Sequence, residues 1–294
     1  MSRKLLYRNI QLYFRDRASV FFSLLAVLIV ISLYILFLSK LQIDSVNQQT
    51  NNMLKTEVLS YLINSWILSG LLSITTVTST LGALGTITND RQNRIIMDFK
   101  SSPLSIMTYP TACVISAFVV GSIISLLSFA IYGSYIFIDT GYYFSVEMVV
   151  KCIGLIFLSA MMNAALMGFL VSFFETNNAF SAVSLIIGTI IGFINGLYVP
   201  MGLLPETIQS ILKFLPFGHI ASLFRRVLME ESIDLSFKNV PLSVRHAYTN
   251  DFGIILDWNG KEISLYVSIF LIFGVFLVSL ILFFINFRRK RQEI

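Results

Sequence analysis

Residues 263–287 read ISLYVSIFLIFGVFLVSLILFFINF, a run without Asp, Glu, Lys, Arg or His, and Arg288, Arg289, Lys290 and Arg291 follow at once. A helix needs about 20 consecutive apolar residues to cross the hydrocarbon core of a bilayer, and this run exceeds that length. The cations behind it end the crossing at a polar surface. Five more runs lack all five ionisable types: 19–39, 58–88, 108–138, 152–174 and 180–199. With 56% hydrophobic and only 13% charged residues over 294 positions, the composition excludes an ordinary soluble domain. The expected fold is all-α and integral to the membrane, with six transmembrane helices. The runs 58–88 and 108–138 are longer than a level helix requires, so each tilts or continues beyond the hydrocarbon. The apolar stretch near the start is too long for a signal peptide and lacks a small-residue cleavage site, so the first span is expected to stay in the mature chain. Cys113 and Cys152 lie in or beside spans and read as small apolar packers.

Charge sets the orientation. Arg3, Lys4, Arg8, Arg15 and Arg17 precede the first span, Arg91, Arg94 and Lys100 separate the second from the third, and the Arg288 cluster follows the last. Six spans place all three clusters on one side, which the positive-inside rule makes the cytoplasm, with both termini there. The formal net charge of +5 therefore reports topology and is a poor argument for nucleic-acid binding.

The polar segments between the spans are patterned. In 1–18, helical projection puts Leu6, Tyr7, Ile10, Tyr13 and Phe14 on one arc and Lys4, Arg8, Gln11 and Arg15 opposite, the pattern of an interfacial helix. The stretch 89–102 predicts a short helix, capped by Asn89 or Asp90 and ended before Pro103. Its cluster of Ile95, Ile96, Met97 and Phe99 calls either for a protein partner or for the membrane surface. In 200–262, Pro200, Pro205 and Pro216 punctuate Ile208, Ile211, Leu212 and Leu215 at helical spacing. Pro205 suits a first helical turn, and the segment reads as short helices dipping into the outer leaflet. From Ile220 to Met229 a second amphipathic stretch places Arg225 and Arg226 on its wet side. Glu230 to Glu262 is polar, with a turn expected at Asn259 and Gly260, and reads as a small external cap.

Within the spans, Gly188, Gly192 and Gly196 recur every fourth residue, as do Ala160, Ala164 and Gly168. Small residues at this spacing let helices approach closely, whether inside one chain or between two. Ser65, Ser69, Ser73, Thr76 and Thr80 form a hydroxyl stripe that either packs or lines a path for an amphipathic solute. Asn163 and Asn195 read as interhelical hydrogen-bonding groups, Asn195 being a further candidate for the path.

An N-terminal amphipathic helix, six spans, a charged loop ending Ser102-Pro103-Leu104-Ser105 after the second, and a proline-rich segment after the fifth together resemble the type-2 ABC export permeases over essentially the whole chain. The resemblance implies one permease domain spanning 1–294. Its interfacial helix is 1–18, its coupling loop 89–102 and its external segment 200–262. It makes Asp90, Arg91, Asn93, Arg94, Ile95 and Ile96 the candidates that dock into a separate ATPase; the family often shows a Glu and then a Gly where Asp90 and Asn93 stand. It assigns Pro200, Pro205 and Pro216 to an external gate. It further implies two ATPase subunits that hold ATP and Mg, a second permease chain as homodimer or heterodimer, and a bacterial cell membrane.

What is missing narrows the chemistry. No Gly-x-x-x-x-Gly-Lys-Ser/Thr phosphate loop is present, so ATP must be hydrolysed elsewhere. The spans lack the ionisable groups on which ion-coupled carriers rely. His219 and His246, the only histidines, show no metal-ligand pairing, and His219 reads as an interfacial polar tip. Glu230, Glu231, Asp234 and His246 form no recognisable catalytic cluster, which disfavours a lipid-modifying enzyme. The uncharged interior favours export of an amphipathic or lipid-like compound such as a drug, an antibiotic or a polyene-like toxin, with a cell-wall glycopolymer or lipid-linked glycan as the alternative.

Overall fold

The computed structural model describes residues 3–17, 20–21, 29, 32, 56–101, 105, 107–238, 240–258 and 261–292. In chain order they form α1 (Arg3–Arg15), α2 (Thr56–Gln92), α3 (Ile95–Ser101), α4 (Thr108–Thr140), α5 (Val146–Val171) and α6 (Asn177–Ile194). A single 3-10 turn at Met201–Leu203 leads into α7 (Glu206–Phe214), α8 (Pro216–Leu228), α9 (Glu230–Ser236) and α10 (Leu242–Asp251). Two short strands, β1 (Asp257–Trp258) and β2 (Lys261–Glu262), precede α11 (Leu265–Gln292). The strands pair antiparallel, Trp258 with Lys261; the turn expected at Asn259 and Gly260 lies outside the described residues. The fold is otherwise all-α.

Five helices, α2, α4, α5, α6 and α11, are long and apolar enough to cross a membrane. They match five of the six expected spans. The remaining one, 19–39, lies almost wholly outside the described residues. Local signals set the helix ends. Ser145 Oγ accepts from Met148 N at the start of α5, and Thr176 Oγ1 accepts from Ala179 N at the start of α6. Gly141 ends α4 in the left-handed conformation at φ 75°, its N–H bonded to the Phe137 carbonyl.

The helices differ sharply in burial. In its most apolar window α2 is 89% buried and touches α4, α5, α6, α8 and α9, whereas α6 is only 11% buried. Helix α2 is therefore the hub, and α6 is the least buried of the five. At 37 residues α2 is about 55 Å long, well beyond a hydrocarbon thickness of about 30 Å. The excess is used as a mast for the short helices of 206–251. Near its start, Trp66 Nε1 donates to the Phe252 carbonyl (3.1 Å) and Tyr61 Oη to Glu231 (3.4 Å).

Helix α1 lies against α4 and the far end of α2. It buries Leu5, Asn9 and Tyr13 and leaves Tyr7 64% exposed, so the buried face is rotated from the arc expected from hydrophobicity. The cause is polar. Asn9 reaches Cys113 Sγ (3.6 Å), and Arg8, expected on the wet side, turns inward to Asp90.

Candidate coupling site

The charged end of α2 carries two consecutive ties. Asp90, fully buried, receives both arms of the Arg8 guanidinium (2.6 and 2.9 Å) and the Tyr109 hydroxyl (2.9 Å). Arg8 also sits 5.6 Å from the centre of the Phe99 ring. A bidentate fork of this kind fixes both partners in direction as well as distance. Arg91 points the other way. It donates to the carbonyls of Ser172 (2.9 Å) and Phe174 (2.7 Å) at the end of α5 and lies 5.6 Å from the Phe287 ring of α11. Gln92 accepts from the Asn177 backbone N–H at the start of α6 (2.8 Å). Asp90 and Arg91, expected on the docking surface, are thus engaged as internal fasteners, Asp90 fully buried and Arg91 half-buried beside the exposed Glu175.

Beyond them the chain breaks. Asn89 and Asp90 do not cap the short helix. Asn89 Oδ1 instead accepts from the Asn93 and Asn177 side-chain amides, and the helix begins only at Ile95. The break is made by Arg94 at φ 59°, the one non-glycine residue described with positive φ. Such a backbone costs an L-residue about 1–2 kcal/mol. The glycine-like position of this loop is therefore Arg94, one residue after Asn93. From there α3 turns Ile96 and Phe99 inward, the latter 5.1 Å from the Tyr109 ring, so Ile96 is part of the core rim. Asn93, Arg94, Met97 (42% exposed) and Asp98 face outward, with Ile95 half-buried beside them. Met97 belonged to the expected apolar cluster but not to the expected docking set; its i, i+3 separation from Arg94 was the signal for it.

The hydroxyl stripe, expected either to pack or to line a path, is buried within the chain. Ser65, Ser69, Ser73, Thr76 and Thr80 are each at most 1% exposed. Ser69, Thr76 and Thr80 donate to carbonyls of their own helix, and Thr76 meets Ser159 (2.7 Å) and the Asn163 amide (3.1 Å) of α5. A side chain at Gly121 would collide with Thr80, so α4 closes the same face. The stripe is the packing seam of the hub.

Both small-residue motifs also resolve. Ala160 and Ala164 are fully buried, and Gly168 packs against Val114 and Phe283, so that motif serves contacts within the chain. A Cβ at Gly192 would strike the Tyr198 ring, and Gly196 holds φ 64° beside Arg225. Only Gly188 opens onto free space.

At the opposite end of the molecule the expected wet face of α8 is reversed. Arg225 is 1% exposed, donates to the carbonyls of Asn195 (2.5 Å), Gly196 (3.2 Å) and Gly253 (3.4 Å), and stands 5.4 Å from the Trp66 ring. Arg226 is half-buried and bonds the carbonyls of Ile254 and Ile263. Burial without a facing carboxylate presses the Arg225 pKa down. Asn195 is fully buried here, with no hydrogen bond found for its side-chain amide among the described residues. The signal was present: Ala221, Phe224, Arg225 and Leu228 share one helical face. Pro200 precedes the 3-10 turn, Pro205 stands one place before α7 instead of inside its first turn, and Pro216 opens α8.

His219 is buried as well. Its Nε2–H donates to the Lys213 carbonyl (2.9 Å) and its Nδ1 is paired with the Ser268 hydroxyl (3.0 Å). Burial lowers its pKa below 6.5. As pH falls through 6.5, the unfolded chain takes up a proton that the folded chain refuses, so stability is lost on acidification. Thermal unfolding in detergent is expected to show a melting temperature that drops from pH 7 to pH 5, and His219→Gln should flatten that slope. Equal slopes would mean that the ring titrates alike in both states.

A hub helix sheathed by spanning helices, with a short helix presented beyond its end and clamped to its neighbours, defines a multi-helix membrane component. The chain belongs to the ABC-2 family transporter proteins, whose family model matches residues 38–285. A comparison with curated proteins finds no match. The membrane subunits of this family work with an ABC ATPase.

Proposed function

We propose that this chain is the permease of an ATP-driven exporter and that its ATPase docks on the outward face of α3, at Asn93, Arg94, Ile95, Met97 and Asp98. The observation that carries the proposal is the pair of opposed fasteners. Asp90 ties the base of α3 to α1 and α4, and Arg91 ties it to α5 and α11. A push on α3 then reaches four helices. ATP and Mg are held by the ATPase, present in two copies. The end bearing α1 and α3 is cytoplasmic, which the three basic clusters support.

A second permease chain packs against α6, whose exposed Leu185, Ile186, Ile190 and Phe193 and open Gly188 leave it the least covered of the described spanning helices. Pro200, Pro205 and Pro216 shape the gate at the far end. The cargo enters from the cytoplasm or the inner leaflet of a bacterial membrane and is amphipathic or lipid-like, in keeping with spans that carry no ionisable group over most of their length. Arg94→Glu combined with Met97→Asp should leave insertion and melting unchanged and reduce ATPase copurification about tenfold or more, because two charges are then misplaced in one interface. Undiminished copurification would place the docking surface elsewhere.

A further inference from the structure

Near the α1 end of the molecule, α4, α5 and α11 do not close on one another. An apolar cavity of about 460 Å³ opens between them, lined by Val114, Ile115 and Phe118 of α4, Met161 of α5, and Leu280 and Phe284 of α11. Its one hydroxyl, on Thr111, is already committed to the Met107 carbonyl (2.6 Å). Such a lining offers water no hydrogen bonds, and left empty it forfeits dispersion contacts. The cavity begins one turn inside α4, so its occupant is drawn from the hydrocarbon of the adjoining leaflet. None of the lining comes from α6.

A cation follows one turn beyond the last lining residue of α11. Leu280, Phe284 and Arg288 follow one another at i+4 along α11 and share a face, with Arg288 about 6 Å along the axis from Phe284. Arg288 is exposed, and no ion pair is found for it among the described residues. We infer that this groove seats one acyl chain of an anionic phospholipid, whose phosphate rests on Arg288. The assignment to the inner leaflet rests on the orientation proposed above; the groove and its cation do not.

The test is photolabelling of the full chain in phosphatidylcholine vesicles doped with phosphatidylglycerol that carries a diazirine midway along one acyl chain. Adducts are expected on the α4 and α11 peptides that contain Val114 to Phe118 and Leu280 to Phe284. Arg288→Gln should reduce phosphatidylglycerol adducts about fivefold relative to those from a phosphatidylcholine probe of the same chain. Met161→Trp and, separately, Ile115→Phe, both at half-exposed lining residues, should fill the groove and remove adducts from both probes at unchanged melting temperature. Adducts spread evenly over α6 and the other exposed helices, equal labelling by both headgroups in the unmutated chain, or cross-links between two copies at these positions would each overturn the inference. None of these readouts depends on transport or on an ATPase.

Discussion

Arg225→Ala is expected to destabilise the chain by about 3–5 kcal/mol, through lost hydrogen bonds from a charged group and the cavity left behind. The carbonyls of Asn195 and Gly196 lie at the end of α6, where a helix has acceptors without partners of their own, and here they are buried. Arg225 is their donor, and through Gly253 and the Trp66 ring it joins α6 to the 206–262 segment and to the hub. Arg225→Lys should fall between alanine and wild type, because an ammonium on a flexible stem cannot reach two separate backbone segments as a planar fork does. Arg225→Met separates charge from shape. It fills most of the volume and removes the cost of burying a cation, yet leaves the carbonyls unpaired. Melting of the four proteins in one detergent decides the matter. A methionine variant as stable as wild type would show that the hydrogen bonds contribute nothing beyond offsetting the desolvation of the guanidinium.

The second large effect is expected at Arg8. Alanine there strands the carboxylate of Asp90 in a fully buried site with only the Tyr109 hydroxyl, a loss of about 3–5 kcal/mol. Asp90→Asn in the same chain removes the uncompensated charge and should recover at least half of the loss. That non-additivity is what distinguishes an ion pair from two independent contacts. Melting temperatures that fall by the sum of the single effects would refute the pairing. Arg8→Lys should be intermediate, since one ammonium cannot reproduce the two parallel bonds.

The spans were legible because a bilayer imposes a length and a composition that survive without knowledge of packing. The runs 58–88, 108–138, 152–174, 180–199 and 263–287 all fall largely on helices. The short helix after the second span was legible from Pro103 and the polar start of its loop, although its first residue was not. That boundary depends on Arg94 adopting a left-handed backbone, which no propensity favours in arginine. Polar residues were read least well. A serine and threonine stripe can face a cavity or bond its own helix, and the choice is made by neighbours such as Ser159, Asn163 and Gly121 that are far away in sequence. Charges were misread for the same reason. Arg8, Asp90, Arg91 and Arg225 were placed toward water or a partner because ions seek solvent by default, and each is instead turned inward to groups supplied by another part of the chain.

The fasteners at the end of α2 also bear on how the proposed docking at α3 would be felt by the rest of the chain. A helix held only by greasy contacts can slide or pivot alone. Here, one residue after the Asp90 fork, Arg91 hooks the last turn of α5 and rests on α11, while Gln92 holds the first residue of α6. Under the docking proposed above, a displacement at α3 would therefore be shared with α5, α6 and α11 instead of being taken up by α2 alone. At the other end Arg225 joins the far end of the hub to the end of α6, so under the proposed docking the two ends of α2 would be the places where an applied force enters and leaves.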